Sequence, residues 1–144
     1  MSRLASPPAI AYHRPMAGET DLQAMLAGLT VSRRPGTFTV ATVDGAVPLG
    51  DGVHAVLAEN EGTTVVATVG AAAERGWTVE FRAAWLTLDV HSSLEAVGLT
   101  AAVATALSEV GIACNVLAGF HHDHLLVPVD RADDAVARLT PVQE

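Results

Sequence analysis

Lysine is missing from this 144-residue chain, whose eight basic residues are all arginine and face sixteen carboxylates, for a net charge of -8. That balance argues against polyanionic partners. A nucleic-acid binder needs a basic stripe that releases counterions from phosphates, and the largest basic cluster is the pair Arg33-Arg34. The same shortage argues against an anionic membrane surface. Cys114 is the single cysteine, which rules out an intrachain disulfide and gives no sign of an oxidising compartment; it reads as a small buried hydrophobe. Aromatic residues make up only 4% of the chain, so the core must be assembled from many small aliphatic contacts. Residues 1–19 contain no apolar run of signal-peptide or membrane-spanning length, and a cytoplasmic location is the expectation.

What is present is aliphatic: half of the residues are hydrophobic, enough for one compact domain or two small subdomains sharing a core. Residues 1–18, with Pro7, Pro8 and Pro15 among Ser and Ala, read as a flexible arm. Thr20 and Gln23 have capping-box spacing and precede Leu22, Met25, Leu26 and Leu29 on one helical face, which predicts a helix over Asp21 to Leu29. Strands are predicted over Thr37 to Val43, Val53 to Ala58 and Thr63 to Val69, the last two joined by a turn over Glu59 to Gly62. Gly70 and Gly76 bracket a short helix. From Trp77 the residues Trp77, Val79 and Phe81 alternate, and then the parity shifts to Leu86, Leu88 and Val90. A strand cannot exchange its buried face without a break, so a boundary between halves is placed there, giving units 19–82 and 83–140.

The second half reads as a strand over Trp85 to Val90 and a helix over Leu99 to Val110, with Leu99, Val103, Ala106, Leu107 and Val110 on one face and Gly111 as its stop. Strands over Ile112 to Ala118 and His124 to Val129 follow, and Asp130 is expected to cap a last helix over Arg131 to Leu139. This β-α-β-β-α order is a split βαβ whose final strand is missing or comes from the other half.

His91 to Pro128 resembles the ACT domains, most closely the small bacterial tandem ACT proteins and more distantly the CASTOR-type arginine sensors. The resemblance lies in Gly98-Leu99 opening a helix, Gly111-Ile112 before a strand, and the Asp-x-Leu-x-Val-Pro pattern from Asp123 to Pro128. It implies an α+β fold of tandem ferredoxin-like βαββαβ subdomains, antiparallel sheets with helices on one face. It also implies a regulatory module that holds a free amino acid between ACT units and performs no catalysis. Residues 20–82 are similar to a second, divergent unit.

A helix opening on glycine offers free N–H groups to a ligand carboxylate at Gly98 and Leu99, and Glu95 or Asp123 can pair with an ammonium or a cationic side chain. The candidate ligand-binding set is Ser92, Ser93, Leu94, Glu95, Val97, Gly98, Leu99, Asn115, Gly119, Phe120, His121 and Asp123. Each has a structural alternative. Ser92 and Glu95 have capping-box spacing, Gly98 can serve helix–sheet packing, Asn115 can satisfy a neighbouring backbone group, and Phe120 can be a lid or a core residue. His121, His122, Asp123 and His124 invite a metal, but alternation puts His122 and His124 on one face and His121 and Asp123 on the other, so three ligands would need His91 or a partner chain. No metal is assigned. No cofactor is expected either, because the Gly45 to Gly52 loop lacks the spacing and lysine of a phosphate loop, and Cys114, alternating with Asn115 in a strand, has no strand-to-helix elbow or positive surrounding to make it a nucleophile. The expected partners are a free amino acid, arginine or another cationic or polar one, and a second copy in a homodimer. The rival readings are an assembly module with a vestigial site and a His-cluster metalloenzyme.

Overall fold

In the computed structural model, residues 26–89 and 98–140 are described. They form a single antiparallel sheet of six strands with helices on one face. The strands are β1 (Thr30–Val43), β2 (Val53–Glu59), β3 (Gly62–Thr68), β4 (Ala83–Asp89), β5 (Asn115–Ala118) and β6 (Asp123–Pro128), in the spatial order β2-β3-β1-β4-β6-β5. The helices are α1 (Val69–Glu74), α2 (Leu99–Glu109) and α3 (Ala132–Leu139), the last entered through a 3-10 turn over Val129–Arg131. The expected fold class is what the chain adopts, with the two sheets fused into one.

Fusion depends on β1. Its first part pairs with β4 from Thr30↔Asp89 to Arg34↔Trp85, and its second part pairs with β3 from Phe38↔Thr68 to Val43↔Thr63. Arg34 to Phe38 is four steps on β1 against two on β4, from Trp85 to Ala83, so two extra residues bulge out. An even number preserves parity, and Arg34 and Phe38 stay on the same face of the sheet. The expectation of a strand from Thr37 is corrected to Thr30: Pro35 donates no ladder bond, and it falls within the bulge where none is required. The final strand that the second half lacks is therefore the first part of β1, since β1-β4-β6-β5 has the neighbour order of a ferredoxin-like unit.

The helix-covered face carries two apolar clusters. Ala84, Leu86, Leu88, Leu125 and Val127 from the sheet pack with Val103, Ala106 and Leu107 of α2 and Ala132, Ala135 and Leu139 of α3. Val53, Val65 and Ala67 pack against Ala71 of α1. β4 is buried on both faces from Ala83 to Leu86, which explains the parity shift: a central strand has no solvent face to mark with polar residues. Trp77, Val79 and Phe81 are partly buried and alternate with exposed neighbours, yet residues 77–82 pair with no strand among the described residues. Ile112 is buried with the helices, and β5 starts only at Asn115. Val110 caps α2 and is exposed. Asp130 lies in the 3-10 turn, and the residue before α3 is Arg131, which makes no side-chain cap bond. Instead Arg131 donates to Val110 O, and Arg138 donates to Ala106 O and pairs with Glu109, so two cations sit at the carboxyl end of α2 where its dipole favours them.

The helix predicted over Asp21 to Leu29 is described only from Leu26, and the arm over 1–18 lies outside the described residues. Leu86 is completely buried while Leu57 on the outer strand β2 is 61% exposed. Leu86→Ala is expected to cost about 2–5 kcal/mol in urea denaturation, and Leu57→Ala to stay within about 0.5 kcal/mol of the parent.

Candidate functional site

Of the predicted ligand residues, Ser92, Ser93, Leu94, Glu95 and Val97 lie outside the described residues, as does His91. Gly98 is the residue before α2, with φ +105°, and no side chain of a described residue caps the helix there. Such a φ is strained for any residue with a Cβ. Ala102 N–H bonds Gly98 O at 2.8 Å, so the helix begins at once and its earlier amides have no intrahelical acceptor. Leu99 packs onto the helix-side cluster while partly exposed.

The other predicted residues fall on the β5–β6 hairpin and do not form one group. Asp123 opens β6 opposite Leu88 and Ala118 on the helix side of the sheet. Gly119 closes the turn through its N–H to His122 O at 3.0 Å, and a Cβ there would stand 2.6 Å from that same oxygen. Its glycine is thus accounted for by close backbone approach. Phe120, expected as lid or core, is 77% exposed and stacks edge-on only with the exposed His121; the turn projects it away from the sheet. Asn115 lies at the far end of β5, facing the helix-free side in register with Leu126. Cys114 is half-buried, not fully buried, against the helix-side cluster, and burial pushes its thiol up from its ordinary value, which opposes nucleophilic use.

The helix-free face holds a group that sequence reasoning missed. Arg34, Trp85, Leu126 and Asn115 form one cross-strand row, and Ser32, Thr87, His124 and Leu117 the next. Trp85 is almost wholly buried with Phe38, Val66, Ala83 and Leu126 around it, although no helix covers this face among the described residues. Its cover is polar. The Arg34 guanidinium lies 4.0 Å above the indole, and Phe38, His54 and His124 meet the ring edge-on. Arg34 Nη1 donates to His54 Nδ1 at 3.1 Å; because arginine is always protonated, the ring proton of His54 sits on Nε2. Thr87 Oγ1 and His124 Nδ1 are 3.0 Å apart. The sequence signal for this face was the alternation Thr30, Ser32, Arg34, obscured by Pro35-Gly36.

Farther along the same face Asp89 accepts from Ser32 and faces His122 Nδ1 at 3.6 Å. As the alternation predicts, His122 and His124 share a face that Asp123 does not. Among the described residues no three His, Cys, Asp or Glu side chains converge as metal ligands.

Two ACT domain models match the chain, one over residues 17–84 and the other over 80–141. The chain belongs to the ACT domain family. Among solved structures, a Vibrio cholerae protein of unknown function, described as a possible transport protein, is 36% identical over 85% of this chain and 96% of its own, with a TM-score of 0.72. An Agrobacterium tumefaciens protein shares the fold at 18% identity, covering 77% of this chain and 86% of its own, with a TM-score of 0.57. So does the aspartate kinase of Clostridium acetobutylicum, at 13% identity and a TM-score of 0.55, over 78% of this chain and 33% of the enzyme. No curated protein matches. Membership of the ACT family assigns a ligand-binding regulatory role in general terms. No described helix is long and apolar enough to cross a membrane.

Two predictions follow from this geometry. Gly119→Ala forces the hairpin to move and is expected to cost about 1–3 kcal/mol in thermal denaturation. Burial, then Arg34, holds His54 and His124 below the ordinary imidazole value of 6.5; His122 also lowers His124, while Asp123 and Asp89 raise it. The unfolded rings therefore take up protons that the folded rings refuse, so stability falls as pH drops through 6.5. The melting temperature of His124→Gln, followed by circular dichroism between neutral pH and about pH 5, is expected to fall less steeply than that of the parent.

Proposed function

We propose that this ACT protein is a cytoplasmic, non-catalytic sensor that divides into units near residue 83, holds a free amino acid between them and acts as a homodimer. The observation that carries the reading is the opening of α2 at a left-handed Gly98, which among the described residues has no capping side chain, so that the first helix amides can turn to a carboxylate. In the proposed pose the ligand carboxylate meets Gly98 and Leu99. Ser92, Ser93, Leu94, Glu95 and Val97 of the segment before α2 complete the proposed set, and Asp123 with the Gly119 to His121 turn borders the ligand from the hairpin. An acidic pair, Glu95 and Asp123, suits arginine or another cationic or polar amino acid. Binding favours one arrangement of the units, and that shift in population is what a partner reads.

Calorimetric titration with the twenty amino acids tests the reading, and silence from all of them at millimolar concentration would sink it. In Gly98→Ala the added Cβ is strained at φ +105°. This variant is expected to bind the responding amino acid about tenfold more weakly and to lose about 1–3 kcal/mol of stability.

An assembly role is the second reading, favoured by the outer strands β2 and β5, which display Leu57 and Val116 at the sheet's edges. Light scattering separates the two: a dimer that forms identically with and without every amino acid supports assembly alone.

A further inference from the structure

Among the described residues the ion pairs of this acidic chain leave Arg34, Arg75 and Arg82 without a carboxylate, and of these Arg34 is the one set in the aromatic cluster of the helix-free face. Among the described residues Arg33 faces Asp133, Arg131 faces Asp134 and Arg138 faces Glu109. Among the described residues no carboxylate lies within ion-pair distance of Arg34, even though the chain carries twice as many acidic as basic residues. It is held in place nonetheless, stacked on Trp85 and tied to His54 Nδ1. The fixed tautomer of His54 leaves a second donor, Nε2–H, on an exposed residue. Beneath them Trp85 Nε1 is buried and finds no hydrogen-bond partner among the described residues, a state that costs free energy unless an acceptor is supplied. Guanidinium, imidazole N–H and indole N–H are all donors. The acceptor beside them, His54 Nδ1, is already engaged by Arg34, and donors left over on an apolar floor are complementary to an acceptor-only anion.

From these contacts we infer a second ligand site on the helix-free face, in which Arg34 and His54 bind the carboxylate of a small organic acid. The planar fork of arginine matches a carboxylate in bidentate fashion. The apolar surroundings, with Ala55, Phe81 and Leu117 partly buried at the rim of the Trp85 cluster, suit a short aliphatic tail. An anion there also offsets the charge that now disfavours protonation of His54 and His124. This site is independent of the one at Gly98, lying on the opposite side of the sheet from α2.

Tryptophan fluorescence tests it. In a Trp77→Phe background only Trp85 emits, and the probe is sodium isovalerate, added at constant ionic strength, with isovaleramide as the uncharged isostere and inorganic phosphate as the non-planar anion. A saturable change with isovalerate, absent with isovaleramide and weaker with phosphate, is expected. Arg34→Gln is expected to weaken it about tenfold or more, and Arg34→Lys less. His54→Gln, which can keep an acceptor for Arg34 but removes the ring Nε2–H, is expected to weaken it severalfold and serves if Arg34→Gln does not fold. Gly98→Ala leaves the response intact, which separates this site from the proposed amino-acid site. The inference is overturned by the absence of a saturable response, by an equal response to isovaleramide or phosphate, or by folded Arg34→Gln and His54→Gln proteins that respond like the parent. A probe-free signal that changes on dilution and vanishes in Arg34→Gln would overturn the free-acid assignment in favour of a carboxylate from a second copy.

Discussion

Backbone hydrogen bonding along one strand holds the two halves of this molecule together. β1 is fourteen residues long and serves two neighbours in succession, β4 along its first part and β3 along its second. Each ladder satisfies main-chain groups that burial would otherwise leave unpaired. The ferredoxin-like unit formed by β4, β5, β6, α2 and α3 is incomplete without the first part of β1, which explains why a β-α-β-β-α sequence can fold without supplying its own last strand. The two-residue bulge at Pro35-Gly36 lets one strand serve both neighbours while keeping its alternation in phase.

Fusion into one sheet gives the two faces different chemistry. On one, aliphatic side chains from β4 and β6 are sealed by α2 and α3, and rigidity there follows from dense packing of small groups. On the other, a large ring is sealed by polar side chains: Trp85 lies beneath Arg34 and between His54 and His124. Covering an aromatic with a guanidinium keeps the ring from water and leaves the cation poised at the surface. ACT membership and the matching solved folds account for the architecture.

Much of the fold was legible because its signals are local. Glycines after α1 and α2, the hairpin at Glu59 to Gly62 and the aliphatic periodicity from Leu99 to Leu107 are each set by neighbours a few residues away. Departures occurred where a distant partner decides. Pro35-Gly36 looks like a break until the neighbouring strands show where a bulge is tolerated. Asp130 has the composition of a cap, yet the chain makes a 3-10 turn first and begins α3 at Ala132. Phe120 has the hydrophobicity of a core residue, but a turn closed by Gly119 and His122 aims it outward.

By itself the sequence determined the class of fold, the absence of a basic surface and the glycine-led opening of α2, because composition and short-range periodicity are enough to specify them. Only tertiary structure decided that Arg34, His54, Trp85 and His124, up to ninety residues apart in the chain, come together on one face. Cross-strand neighbours are set by register, and register is fixed by the burial of whole strands rather than by any residue's own preference.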